Sequence, residues 1–225
     1  MPGRRSWSHR SAAWGTCLAV IGALALAGCS GSGSQYVKST EDHTYFKVPS
    51  SWVLFGERKL ISQDTQLSGE QKDKILKSSW RTAFDASPEP QVQHVFASNS
   101  AFPTGFAVVD KLSSDDADQV SDLVLRNQFV PVDKLVQSKQ LDLLGYEAVN
   151  RSGGFHGIRF RARITSAPDS EVYAEGPAFT FEQISLVDQE HAKSYSLLVM
   201  CSSKCFESHT DRIEGVVDSW TVEKS

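Results

Sequence analysis

Apolar and polar positions alternate along most of this chain in runs of strand length, interrupted by a few stretches of helical period. His43-Thr-Tyr-Phe-Lys-Val48 and Trp52-Val-Leu-Phe55 read as strands on either side of a Pro49-Ser-Ser turn. Ser68-Gly-Glu-Gln71 has the form of a capping box, in which Ser and Gln satisfy each other's free backbone donors. Behind it Ile75, Leu76, Trp80, Ala83 and Phe84 recur at helical spacing, predicting an amphipathic helix that Pro88 and Pro90 end. Strands are predicted near 92–97 and 105–109. Ser113-Ser-Asp-Asp-Ala-Asp118 opens a second helix, with Val120, Leu123 and Val124 on its buried face.

The second half is strand-rich. Strands are predicted over 141–149, 155–164, 179–187 and 195–201, with Gly153-Gly154 forming a tight hairpin between the first two. A last helix near 208–217 offers Ile213, Val216 and Val217 to the core, and Trp220-Thr-Val222 closes as a short strand. No internal repeat is evident. One α+β domain over residues 40–225 with a mainly antiparallel sheet is the economical reading.

The pattern of the first 28 residues is different. Arg4, Arg5 and Arg10 precede an apolar stretch of about 16 residues ending at Ala27, the plan of a secretory signal peptide. That stretch is shorter than the roughly 20 residues a membrane-spanning helix needs. It ends in Leu26-Ala27-Gly28-Cys29, which resembles the lipobox of bacterial lipoproteins at all four positions. The alternative is an ordinary signal peptide with an incidental Cys; a twin-arginine reading fits the residues around Arg4-Arg5 poorly. The lipobox resemblance implies cleavage before Cys29, a diacylglyceryl thioether on its sulfur, and a location on the outer side of the cell membrane. Two or more acyl chains hold a protein stably, whereas one holds it marginally. Residues 29–39, beginning Cys29-Ser-Gly-Ser-Gly-Ser, are then expected to form a flexible tether.

Composition narrows the partners. Residues 1–28 carry three Arg and no acid, so their removal moves the formal net charge from −4 to about −7. An acidic domain lacks the phosphate-neutralising surface that nucleic-acid binding requires, so no nucleic acid is expected. With Cys17 in the leader and Cys29 taken by lipid, Cys201 and Cys205 remain as a pair in an oxidising compartment. A disulfide is favoured there; the alternatives are two free thiols, or a metal site that adds His209 but has no evident fourth ligand.

Three motifs bear on family. Tyr45-Phe-Lys-Val-Pro-Ser-Ser-Trp52, Tyr195-Ser-Leu-Leu-Val199 and Ile213 through Val217-Asp-Ser-Trp-Thr-Val222 together resemble the PsbP-like domains found in photosynthetic organisms and in bacterial lipoproteins. The resemblance covers most of residues 40–223. It implies an αβα sandwich-like fold and a role in binding or assembly, and it transfers no functional residue.

Candidate chemistry is sparse. No nucleophile elbow, zinc-protease helix or phosphate-binding loop occurs, and His43, His94, His156, His191 and His209 are scattered. The Asp cluster at 115–118 lacks calcium-loop spacing and suits the first turn of a helix. No cofactor and no metal are expected. One arrangement rises above background: on a strand over 155–164, Arg159, Arg161 and Arg163 share a face, about 7 Å apart. They could receive an anionic partner through forked contacts, or pair across strands with Glu147 and Glu182. The function expected is a membrane-anchored, non-catalytic binding or assembly module at the cell envelope. The alternatives are a carrier of a small or lipidic ligand and a hydrolase with a spatially assembled site.

Overall fold

The computed structural model describes residues 33–63, 67–97, 100–166 and 177–224. The leader, the lipobox and Cys29 lie outside the described residues. Every strand pairing in the fold is antiparallel. A three-stranded sheet is built from β1 (Ser34–Ser39), β2 (Thr44–Pro49) and β10 (Thr221–Val222), with β2 in the middle. A seven-stranded sheet has the order β3 (Val53–Gly56), β4 (Ser79–Asp85), β5 (Thr104–Lys111), β9 (Lys193–Ser202), β8 (Phe179–Val187), β7 (His156–Ile164) and β6 (Leu141–Asn150).

Three layers result. The long helix α7 (Ser203–Asp218) and the small sheet cover one face of the large sheet, and between them lies the main core. Phe46 and Val48 from β2, Phe84 from β4, Leu197 and Val199 from β9, and Ile213, Val216 and Val217 from α7 meet there. Short helices pack on the opposite face. Beneath α5 (Asp122–Arg126) and α6 (Val132–Gln137), Leu125, Val132 and Leu135 pack on Ile158, Phe160, Ala162, Ile164 and Phe181. Beneath α1 (Glu57–Gln63) and α3 (Val92–Val95), Leu60, Val92 and Val95 pack on Phe55 and Ala83. The α+β class and the antiparallel sheet are as the sequence predicts, with the small sheet sharing one outer layer with α7.

Several local expectations are corrected. The tether expected over residues 29–39 ends earlier, because Ser34–Ser39 is β1: Val37 enters the core while Tyr36 and Lys38 face out. The capping box forms, with Ser68 Oγ accepting from Gln71 N and Ser68 N donating to Gln71 Oε1 at 2.8 Å. Its helix, α2 (Gly69–Ser78), stops before Trp80 and buries no residue. Residues 79–85 form β4 instead, between β3 and β5. Their alternation sends Phe84 into the main core and Ala83 to the other face of the sheet.

The strand expected at 92–97 is the single-turn helix α3. Asp85 explains it. This fully buried carboxylate accepts hydrogen bonds from Ser87 N (2.8 Å), Ser87 Oγ (2.9 Å) and Gln91 N (2.9 Å), and lies 2.7 Å from His94 Nδ1. It therefore curls the chain around Pro88 and Pro90 into α3. The second predicted helix is also broken, into α4 (Ser114–Gln119) and α5. Ser113 and Ser121 each cap a new helix, and the restart changes the buried side: Leu123 and Val124 are exposed and Leu125 is buried. The last helix begins five residues before its predicted start of 208.

Burial works against the Asp85 charge, but the hydrogen bonds from Ser87, Gln91 and His94 prevail and hold its carboxyl below its ordinary value. The sign follows by linkage. A depressed folded pKa stabilises the fold above the unfolded value of about 3.9, and that contribution is lost as pH falls through the folded pKa. Asp85→Asn, which sets an amide N–H₂ against backbone donors, is expected to cost about 2 kcal/mol at pH 7. In urea titrations the gap between variant and parent should narrow steadily from pH 5 to pH 2; a constant gap would contradict this account.

Candidate functional site

The arginine row folds as a row but not as an open one. Alternation along β7 places Ile158, Phe160, Ala162 and Ile164 in the core under α5 and α6, and turns Arg159, Arg161 and Arg163 toward α7. Glu182 projects between the first two from β8, its side chain only 2% exposed. Arg159 meets Glu182 Oε1 at 2.5 Å and Asp218 Oδ1 at 2.7 Å, with Glu147 at 3.6 Å. Arg161 meets Glu182 Oε2 at 2.6 Å and Glu214 Oε1 at 2.5 Å, and its guanidinium lies 5.2 Å from the centre of the Phe206 ring. Arg163 reaches Glu207 at 3.4 Å.

Glu207, Glu214 and Asp218 stand at i, i+7 and i+11, so they share one face of α7. That face lies along the row like a zip. Burial works against the charges of Arg159 and Arg161, but their carboxylate partners raise both guanidinium pKa values. Of the two readings of the row, the structure has the cross-strand pairing with Glu147 and Glu182 and adds the acids of α7: the row is neutralised from within and pins α7 to the sheet. The missed signal was the i, i+7, i+11 acid spacing in the last helix.

Cys201, at the end of β9, and Cys205, in the first turn of α7, are joined by a disulfide. His209 gives its Nδ1 to the Cys205 carbonyl at 2.9 Å. In this arrangement the two sulfurs bond to one another rather than facing His209. Among the described residues no group of three His, Cys, Asp or Glu side chains could hold a metal ion. Of the remaining histidines, His156 and His191 face one another with ring centres 5.5 Å apart, and His94 is the partner of Asp85.

The feature that sequence reasoning missed is a cleft on the far face of the large sheet. Its floor is Phe106 of β5, Leu198 and Met200 of β9, Phe179 of β8 and Ile164 of β7. One wall is Val95 and Phe96 of the α3 turn; the other is Phe129, Val130, Pro131 and Leu135, leading into and along α6. The cavity has a volume of about 390 Å³, and every lining side chain among the described residues is apolar. A second hollow of about 300 Å³ shares Phe96 and Phe106 and continues to Leu60, Ile61, Leu67, Gln63 and Arg81. Phe96, 64% exposed, stands between the two.

The walls are tied down. Gln183, fully buried in β8, donates to the Leu125 carbonyl (2.8 Å) and to Ser185 Oγ (3.0 Å), fastening α5 to the sheet. Asp133 at the start of α6 accepts from Arg126 Nε (2.8 Å) and Asn127 Nδ2 (2.9 Å), while its own N–H donates to Asn127 Oδ1 (3.0 Å). Asp85 fixes the opposite wall through α3. An apolar hollow of several hundred cubic ångströms between anchored walls has the form of a small-molecule site. Six elements contribute to it and no short motif marks it, so only the assembled fold reveals it.

Fold and cleft together define an antiparallel α+β sandwich with an apolar hollow. No protein-family model matches the chain, and no curated protein matches it. Solved structures do. The fold is similar to the solution structure of cyanobacterial PsbP (CyanoP) from Synechocystis sp. PCC 6803, at 12% identity over 88% of this chain and 99% of that one, with a TM-score of 0.48. It is similar to LpqN, described as involved in cell envelope biogenesis of Mycobacterium tuberculosis, at 15% identity over 87% and 88%, with a TM-score of 0.46. It is also similar to the Saccharomyces cerevisiae Ran-binding protein Mog1p, at 13% identity over 84% and 95%, with a TM-score of 0.43. Likeness at this level transfers no ligand, partner or residue, and the fold class stands on the strand order and layers described above.

Proposed function

We propose that the mature protein is a lipid-anchored, non-catalytic binding module of the cell envelope that holds a small apolar ligand in the cleft above Phe106, Leu198 and Met200. The carrying observation is the lining: a hollow of about 390 Å³ with only apolar side chains among the described residues. Burying apolar ligand surface there is favourable at about 25 cal/mol per Å², and no charged group must be desolvated along the way. Among the three expected classes, this favours the carrier. The nearest histidine–carboxylate pair, His94–Asp85, is occupied in shaping α3, its carboxylate already accepting from Ser87 and Gln91. Anchorage rests on the basic and apolar leader and the Leu26–Cys29 lipobox. Among the described residues no helix is long and apolar enough to cross a membrane.

The test is binding of the neutral fluorophore N-phenyl-1-naphthylamine. Its emission should rise and shift to the blue, saturating near one probe per chain. Met200→Trp, which fills part of the hollow from the floor, should weaken binding at least tenfold while circular dichroism and the unfolding midpoint stay near those of the parent. Non-saturable emission, or unchanged affinity in the folded variant, would refute the cleft as the site.

A further inference from the structure

The first strand begins at Ser34, and Ser50 N already donates to the Gly33 carbonyl at 2.8 Å. Only four residue steps therefore separate Cys29 from the fold. Fully extended they reach about 14 Å, less than the roughly 16 Å radius of gyration expected for a domain of this size. If Cys29 carries the lipid, the domain cannot turn its far side to the bilayer. The surface beside β1 must lie at the headgroups.

That surface has a distinct chemistry. In the small sheet Val37, Phe46 and Val48 are buried, so Tyr36, Lys38, Tyr45 and Lys47 form the outer face. The antiparallel register sets Tyr36 opposite Lys47 and Lys38 opposite Tyr45, a checkerboard of two phenols and two ammonium groups. The tyrosine rings lie 6.0 Å apart, and Lys47 Nζ sits 5.2 Å from the centre of the Tyr36 ring. The acids of the turn between β1 and β2 are drawn elsewhere: Glu41 pairs with Lys111 at 3.1 Å, and Asp42 with Lys193 at 2.8 Å. Neither Lys38 nor Lys47 has a carboxylate partner among the described residues. An otherwise acidic protein thus leaves two uncompensated cations beside its anchor, flanked by side chains with an apolar body and a polar tip.

We propose that the outer face of β1 and β2 rests on anionic phospholipid headgroups. Lys38 and Lys47 meet the phosphates while their stems lie along the tyrosine rings, and the phenols sit at the interface, where such side chains are favoured. This orientation rests on the anchor reading given under Proposed function, but its test does not. The mature chain, whose one free thiol is Cys29, is coupled through that thiol to a maleimide phospholipid in vesicles. One set is phosphatidylcholine alone and the other is half phosphatidylglycerol. Amines are acetylated briefly with a membrane-impermeant ester and each lysine is read by mass spectrometry.

Lys38 and Lys47 should label at least threefold more slowly on the anionic vesicles than on the neutral ones. Lys134 and Lys139, exposed on the opposite layer, should label equally on both. Equal labelling of all four, or protection of Lys134 and Lys139 instead, overturns the orientation. Mass analysis of the membrane-extracted native protein decides the anchor separately: an unmodified Cys29 removes the lipidation reading while the coupled vesicles still report which face the surface prefers.

Discussion

Glu182→Ala is expected to destabilise the fold by about 3 kcal/mol, the lower end of the 3–5 kcal/mol range for removing one partner of a buried ion pair. The Glu182 side chain is 2% exposed and joins two guanidinium groups that are themselves only 21% and 26% exposed. Its removal leaves two positive charges side by side under α7. The lower end applies because Asp218 still reaches Arg159 and Glu214 still reaches Arg161. Taking acid and base away together, as in Glu182→Leu with Arg159→Met, should recover much of the loss, since well-packed apolar replacements of buried pairs are often neutral. Asp218→Asn should cost under about 1 kcal/mol, because that carboxylate is 60% exposed. Urea unfolding followed by tryptophan fluorescence measures all three. A Glu182→Ala loss below about 1 kcal/mol would mean that water replaces the carboxylate and that the row is more open than its packing indicates.

A loss of about 3–5 kcal/mol is expected for Phe84→Ala, the usual cost of emptying a fully buried aromatic site. Phe84 has no exposed surface; its ring stacks on Trp52 at 5.3 Å and lies 6.1 Å from Phe46. The tip of its ring also meets Gly105, where an added Cβ would fall 2.1 Å from Phe84 Cζ and 2.8 Å from the Leu198 carbonyl oxygen. That close approach supplies a control. Gly105→Ala should be destabilising in the parent, because the methyl collides with the ring and with the Leu198 carbonyl, and less so when Phe84 is already Ala, which relieves the ring and leaves the carbonyl contact. Additive losses in the double variant, measured by the same unfolding experiment, would show that the ring and Gly105 do not press on one another.

Phe84 also shows where local reasoning stops. Ile75, Leu76, Trp80, Ala83 and Phe84 fit a helical stripe, and nothing within the segment contradicts it. What ends the helix at Ser78 is the backbone pairing of residues 79–85 with β3 and β5, from both sides and from far along the chain. A carboxylate does the same for the α3 turn: Asp85 claims Gln91 N and removes it from any strand. At the first strand, the polar sequence Ser34-Gln-Tyr-Val-Lys-Ser39 reads as tether until β2 supplies its hydrogen-bond partners. That change shortens the link to Cys29 and so gives the small sheet its orientation argument.

By itself the amino-acid sequence determined the pairing of Cys201 with Cys205 as the favoured use of two sulfurs, the α+β class, and the long strands of the second half. These are local properties: two sulfurs four residues apart, and period-two alternation in β-rich segments bounded by turns. It also put Arg159, Arg161 and Arg163 on one face, because alternation is a property of a single strand. Whether that face was open was a different matter. It depended on Glu182 from a neighbouring strand and on the acids of a helix more than 40 residues away, so only the tertiary structure decided it. The cleft is the extreme case. Phe106, Phe129, Phe179, Leu198 and Met200 each read as ordinary core residues, and they enclose a hollow only because two short helical walls are held apart over the sheet by Asp85 on one side and by Gln183 and Asp133 on the other.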